Sequence, residues 1–417
     1  MTTFPSIQQS QTPLLPYAFS VPNKEQLVQQ YVGKTLDQVR TPRLVIDKSI
    51  VEKNCERLKD ISQKHKVKVR IHVKTHKTIE GTAIQLDAVN TDSIVVSTLA
   101  EAYYMIQSPL VSTGKLKDVL LGLPISPDKF DDVFALSNQI ESFSIFIDHL
   151  QTLDALDTYY NEKYGQNSKT RINVFLKVDC GYHRAGATIN NQDALTLAKR
   201  LIQSTYIHVK GLYTHAGHSY SSRDEISALD YLHGEIKAAT EYRQFLKDNG
   251  IDISYCSIGA TPTIMAAGHL SSSSLGESIN EVHCGVFAFN DRQQVATSLS
   301  SNSDVAVRVL ARIASRYPER NTLLLDAGAL ALSKDTSPQG GFGDIIGHDH
   351  WQLNKISQEH GIVTNVPLED FNDNPVGKII QICPNHCCLT AACYEFFLIV
   401  ENGNNEIVDV WVPVRGW

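Results

Sequence analysis

No stretch of this 417-residue chain approaches the apolar length needed to cross a bilayer, which excludes a helical membrane span. A strong excess of one charge is lacking as well, with 38 Lys and Arg against 45 Asp and Glu. A net charge of −7 offers neither the basic surface that nucleic acid requires nor a polybasic membrane contact. Cysteine is sparse, eight residues in all, too few for a disulfide scaffold. The N-terminus (MTTFPSIQQSQTPLLPYAFSVPNKEQ) lacks a basic region followed by an apolar core and is poor in arginine. Neither a secretory signal nor a mitochondrial presequence is therefore expected. The cytoplasm is the expected compartment and a small molecule the expected partner, with no nucleic acid and no membrane.

What is present is ordinary globular composition, 42% hydrophobic and 20% charged, at a length suited to two domains. Residues 1–40 read as a Ser-, Gln- and Pro-rich arm followed by a helix at 24–32. From residue 41 strands alternate with helices such as 48–64, 78–89, 192–204 and 223–249. The strand candidates are 67–74, 93–97, 118–124, 142–148, 172–179, 207–215, 253–259 and 279–284. Regular alternation implies a parallel sheet, and this number of units over about 250 residues matches the (β/α)8 TIM-type barrel. A doubly wound open sheet would alternate in the same way. The barrel is preferred because Lys74, Thr98, Asp179, His215 and Thr261 all fall at C-terminal strand ends, whereas an open sheet gathers such residues at one switch point.

From about residue 304 the strands 305–312, 322–326, 378–382 and 394–400 follow one another without helices. Asn402-Gly403-Asn404-Asn405 is a turn signal for a closing hairpin. The α/β barrel is thus expected over 41–300, and a mostly antiparallel β domain carrying metal ligands over 301–417.

Lys74 ends an apolar run in RIHVKTHKT, at the strand end where barrel enzymes keep their chemistry. Lysine forms Schiff bases with carbonyl cofactors, although KTHK alone also fits a solvated basic turn. After the strand 172–179 comes Lys177-Val178-Asp179-Cys180-Gly181-Tyr182-His183-Arg184-Ala185-Gly186. A buried salt bridge would explain Lys177 and Asp179 as well as a site role does. Tyr213, His215 and His218 lie among glycines, which would let a planar ligand approach the backbone. Gly259-Ala260-Thr261, ahead of a helix start, offers donors suited to phosphate, and helix capping would use the same residues. Gly285 adds a second turn beside it. Cys383-Pro384-Asn385-His386-Cys387-Cys388 is the most specific local feature. If extended, it points His386 and Cys388 to one face, where imidazole and thiolate suit zinc, with copper as competitor. Two ligands leave positions open for water or substrate; buried free cysteines are the alternative.

Together HVKTHK, KVDCGYHRAG, GLYTHAGHSY, SIGATPT, the DAG at Asp326, the EHG at Glu359 and PNHCC resemble the fold-type III pyridoxal phosphate enzymes, whose plan is shared with alanine racemase. The match is to the D-serine dehydratase / D-threonine aldolase branch, on the side of the zinc-dependent eukaryotic D-serine dehydratases. It runs from Thr41-Pro42 to Arg415-Gly416.

The resemblance implies Lys74 as Schiff-base lysine and α-proton acceptor, with Arg184 near the cofactor's phenolic oxygen. Tyr213 and His215 would lie against the pyridine ring and its nitrogen. Gly259, Ala260, Thr261 and Gly285 would hold the phosphate, and His386 and Cys388 the Zn2+. It implies β-elimination from D-serine, with D-threonine open as a second substrate, and a homodimer in which one subunit's β domain closes the other's site. The aldolase side typically carries aspartate where Cys388 stands. Retro-aldol cleavage and a non-catalytic pyridoxal phosphate carrier are the alternative functions. Cys284 and Phe287 depart from the family's usual Pro and Tyr, and Cys387 is an unusual neighbour for the ligand pair.

Overall fold

The computed structural model describes residues 21–165, 168–189, 191–271 and 275–417. The expected N-terminal arm lies outside the described residues up to residue 20, as do 272–274 of the serine tract. Strand β1 (Arg43–Asp47) comes first and stands apart from the barrel. The barrel follows as β2 (Lys68–His72), β3 (Ser93–Val96), β4 (Asp118–Pro124), β5 (Ser142–Phe146), β6 (Ile172–Lys177), β7 (Ile207–Tyr213), β8 (Cys256–Ile258) and β9 (Glu281–Cys284). These eight pair in parallel, and the ring closes where β2 meets β9 through Val69↔Val282 and Ile71↔Cys284. Each of the eight expected strands is one of these. Among the described residues no helix is long and apolar enough to span a membrane.

The period of two explains the odd composition of β2. Val69 and Ile71 are buried in the large core shared with the surrounding helices, including Val51, Cys55 and Leu58 of the helix Lys48–His65. The alternate residues face inward, where Val95, Leu120, Phe146, Phe175 and Tyr213 form a separate interior cluster. Beside it Arg70 is buried, bonded to Glu281 at 2.9 Å and Asp118 at 2.8 Å, with Lys210 also on Asp118 at 2.5 Å. Removing one partner from such a network strands a buried charge, at a cost of about 3–5 kcal/mol. The basic residues of β2 therefore divide by depth: Arg70 is structural, and those beyond it reach the mouth.

The C-terminal domain is a nine-stranded sheet in the order β13-β14-β11-β10-β1-β16-β17, with β15 pairing β10 and β12. Its later strands are β10 (Val307–Tyr317), β11 (Thr322–Leu325), β12 (Asp344–Ile345), β13 (Gln352–Ile356), β14 (Gly361–Thr364), β15 (Ile379–Cys383), β16 (Phe397–Val400) and β17 (Asp409–Trp411). The closing hairpin forms as expected, with Phe397 opposite Trp411 and Asn402 and Gly403 at positive φ in its turn.

Three expectations are corrected. The stretch Arg43–Asp47, assigned to the barrel segment 41–300, instead lies between β10 and β16, antiparallel to the first and parallel to the second. A short apolar run satisfies either sheet, and β10 and β16 would otherwise present open edges to one another. The β13–β14 hairpin and β12 were not foreseen. The region also contains short helices, Ala329–Leu332, Asp370–Asp373 and Cys387–Ala392, where strands alone were expected.

Candidate active site

β2 stops at His72, whose Nδ1 accepts the Lys74 N–H at 3.4 Å and opens one 3-10 turn over Val73–Thr75. The far side of the turn is held by Lys77, whose N–H donates to Val73 O at 2.9 Å and whose ammonium meets buried Glu101 at 2.8 Å. Lys74 is left exposed at the mouth, in no ion pair among the described residues. Burial, and next the Lys74 ammonium, hold the His72 imidazole well below its ordinary pKa. Thr98, another expected mouth residue, caps the helix Leu99–Ile106 through the Glu101 N–H.

The loop after β6 separates residues that the sequence left grouped. Asp179 is a loop anchor: it accepts the Gly181 and His183 N–H groups, each at 3.0 Å, and bonds His183 Nδ1 at 2.8 Å. Lys177 has no carboxylate within ion-pairing distance among the described residues, so a salt bridge does not explain it. Its ammonium lies 4.7 Å from the Phe146 ring centroid. Burial, then the Arg184 cation, push its pKa down to about 8. Arg184 is exposed, with its guanidinium 5.1 Å from the Tyr182 ring centroid.

At the ends of β7, β8 and β9, Tyr213 stacks on His283 with centroids 4.0 Å apart and planes 6° from parallel. His283 Nε2 bonds Thr214 O at 2.9 Å, and His215 Nδ1 donates to Gly259 O at 2.8 Å. Burial, then Arg184, bring His215 down to about 3, so it is neutral throughout the physiological range. Gly259 sits at φ +153°, and a Cβ there would stand 2.1 Å from His283 O. At Gly285 a Cβ would stand 2.8 Å from His72 O. Both glycines let strand ends close tightly beneath the mouth. Ala260 precedes the helix Thr261–Ala267, at whose start the buried Thr261 hydroxyl lies against the Tyr220 hydroxyl.

The segment 386–388 is not extended as expected. His386 has extended backbone, but Cys387–Ala392 is helical because Asp291 Oδ2 accepts the Cys387 N–H at 2.8 Å. The helical turn still brings Cys388 to His386. Against the lowering effect of burial, the bond to Cys388 and its charge push His386 up to about 9. The Cys387 thiol, then His386, hold the Cys388 thiol well below its ordinary value. His386 Nδ1 meets Asp335 Oδ2 at 2.5 Å, which leaves Nε2 as the second donor. Asn385 fixes the approach: its Nδ2 bonds Asp335 O and Gly341 O, and its Oδ1 takes buried Arg292 at 2.5 Å. Cys387 is fully buried in the core, so it is packed rather than presented.

The C-terminal helix reaches the barrel loop directly. Thr75 Oγ1 lies 3.1 Å from Cys388 Sγ, and the Lys74 charge is felt at the same thiol. One chain therefore brings Lys74, His386 and Cys388 to the mouth, beside the cluster of Tyr213, His215, Gly259, Ala260, Thr261 and Gly285. Two further motifs of the resemblance lie in the C-terminal domain. Asp326 bonds the Arg312 N–H at 2.6 Å and Thr41 Oγ1 at 2.5 Å, and Glu359 and His360 form the exposed β13–β14 turn. Thr75, Glu235, Asp291 and Asp335 were missed, because each acquires its meaning from a partner remote in sequence.

Pyridoxal phosphate and zinc can be tested against these residues. A free amine at the mouth, a buried hydroxyl at Thr261 on a helix start and a neutral imidazole fit the cofactor. An imidazole nitrogen beside a thiol prone to ionise is a donor pair for zinc, and Asp335 on the other ring nitrogen is the outer partner that metal-bound histidines use. Among the described residues no cluster of three or more His, Cys, Asp or Glu could hold a metal. Two protein donors would leave coordination positions open.

Barrel, β domain and mouth lysine define an alanine racemase-like enzyme. The family described as "Alanine racemase, N-terminal domain" matches residues 46–293, and "Putative serine dehydratase domain" matches 306–400. A crystal structure of an alanine racemase-like protein from Idiomarina loihiensis superposes with a TM-score of 0.81 at 29% identity, over 92% of this chain and 99% of that one. Within that class the chain belongs to the D-serine dehydratase family. It is 39% identical to the D-serine dehydratase of Schizosaccharomyces pombe over 95% of this chain and 96% of the relative. To that of Dictyostelium discoideum it is 32% identical, over 92% and 98%.

Proposed function

We propose that this chain converts D-serine to pyruvate and ammonia with pyridoxal phosphate and zinc bound at the barrel mouth. The observation that carries the reading is the 3.1 Å approach of Thr75 Oγ1 to Cys388 Sγ, which sets the Lys74 turn against the metal pair. When bound, pyridoxal phosphate withdraws electrons from the substrate's α-carbon and zinc polarises the β-hydroxyl as a Lewis acid.

The residues divide that work by position. Lys74 supplies the amine that holds the cofactor and accepts the α-proton. Neutral His215, tied through Nδ1 to Gly259 O, faces the cofactor ring without adding charge. Thr261 offers its buried hydroxyl to the phosphate, and Arg184, whose charge is felt at His215, comes from the exposed loop. His386 and Cys388 hold the metal, with Asp335 fixing the imidazole. Loss of the α-proton and hydroxyl removes one water. Hydrolysis of the released enamine returns it, so D-serine gives pyruvate and ammonia in balance.

The same proposal includes a cytoplasmic homodimer. Since Lys74 and both metal donors come from one chain, the second subunit closes the site rather than supplying the metal pair. Comparing D-serine with D-threonine tests the reaction class. Pyruvate from D-serine, in large excess over glycine and acetaldehyde from D-threonine, is the expected result. The reverse pattern would replace elimination by retro-aldol cleavage while leaving Lys74 in its role.

A further inference from the structure

Glu235 lies in the middle of the long helix Glu225–Asp248, where a glutamate would ordinarily face water. Here it is 1% exposed. Its Oε1 accepts Thr214 Oγ1 at 2.7 Å, the Ala216 N–H at 3.0 Å and the Gly259 N–H at 3.0 Å, while Oε2 lies 3.3 Å from Thr263 Oγ1, whose one proton it shares with Ala260 O at 3.1 Å. No cationic side chain pairs with it among the described residues. Backbone amides and hydroxyls alone satisfy the carboxylate, and burial pushes its pKa up to about 7.

These partners are not a random sample of the interior. Thr214 and Ala216 flank His215. Gly259 gives its N–H to Glu235 and its O to the His215 imidazole, so one peptide links the carboxylate to that ring. Thr263 Oγ1 also accepts the Ala260 N–H at 3.0 Å, which fixes the start of the turn carrying Thr261. One side chain behind the mouth thus holds both the ring-facing residue and the phosphate-facing turn.

We infer that Glu235 is a positioning residue for the cofactor, setting the loop after β7 and the turn after β8 in a single register so that His215 and Thr261 address one ligand. It touches no reacting atom and acts through Gly259, Ala216 and Thr263. The inference rests on the reading that pyridoxal phosphate binds here.

Two isosteric choices separate position from charge. Glu235→Gln keeps the length and an acceptor oxygen but removes the charge; Glu235→Asp keeps the charge and withdraws it by one methylene. Pyridoxal phosphate affinity of the apoprotein, followed by absorbance and fluorescence titration, is compared with the apoprotein's melting temperature. Positioning predicts that Glu235→Gln binds within about threefold of the unmodified chain, while Glu235→Asp binds at least about tenfold more weakly as buried donors lose their acceptor. Equal affinity in both variants, or weaker binding by Glu235→Gln than by Glu235→Asp, would overturn the inference. If Glu235→Asp does not fold, Thr263→Val removes one contact and is expected to weaken binding several-fold; unchanged affinity there would overturn it as well. An unmodified chain that bound no pyridoxal phosphate would instead remove the cofactor reading itself.

Discussion

Lys74→Ala is expected to fold normally and to lose turnover by at least about 10³-fold, the range set by removing a positioned proton acceptor. Lys74 is exposed and joins no ion pair among the described residues, so its removal should change stability by no more than about 0.5 kcal/mol. Borohydride reduction provides the direct check. In the unmodified protein it should fix pyridoxal phosphate to the peptide containing Lys74, whereas the variant should release the cofactor on denaturation. Lys74→Arg should behave like Lys74→Ala, since a guanidinium keeps the charge but cannot replace the amine. Cofactor fixed elsewhere in the chain, for example at buried Lys177, would move the chemistry from the end of β2 to the end of β6.

Cys388→Ala should divide the two halves of the reaction. Cys388 is half-buried and its side chain meets Thr75, Cys387 and His386, so its loss removes one contact to the Lys74 turn and leaves the barrel strands and the cofactor-facing cluster in place. The expected variant retains the absorbance of bound pyridoxal phosphate and loses turnover by at least about 10²-fold, in line with withdrawing a Lewis acid from a poor leaving group. Exchange of the α-proton with solvent should persist, because Lys74 remains in place. A variant that lost both the cofactor and turnover would show that the pair has a structural role. One that kept turnover would remove the metal from the mechanism.

The barrel was legible because its information is local. Runs such as INVFLK and SFSIF are apolar and buried almost throughout, their side chains alternating between the core under the helices (Ile145, Val174, Leu176) and the barrel interior (Phe146, Phe175), and each became a strand within a few positions of the reading. Lys74, His215, Thr261 and His386 were legible for a related reason: reactive residue types at strand ends or in tight clusters stand out without any partner. The second layer was not legible. Glu235 looks solvated in its own helix, and its role depends on Gly259, 24 residues away. Asp335 sits in an unremarkable loop, and it takes the fold of β10 to β15 to set it on His386. The helix at 387 is the clearest miss. CCLTAA gives no strong helical pattern, and its start is set by Asp291, 96 residues earlier. Likewise RLVID could enter either sheet, and the space between β10 and β16 decided which.

The most direct test of the central claim is pyruvate release from D-serine before and after chelation, followed by zinc add-back, with cofactor absorbance recorded throughout. Release that falls to background under chelation, returns with zinc, and leaves the absorbance unchanged is the predicted result. Undiminished release from fully metal-depleted protein would contradict it and leave His386 and Cys388 without a part in the reaction.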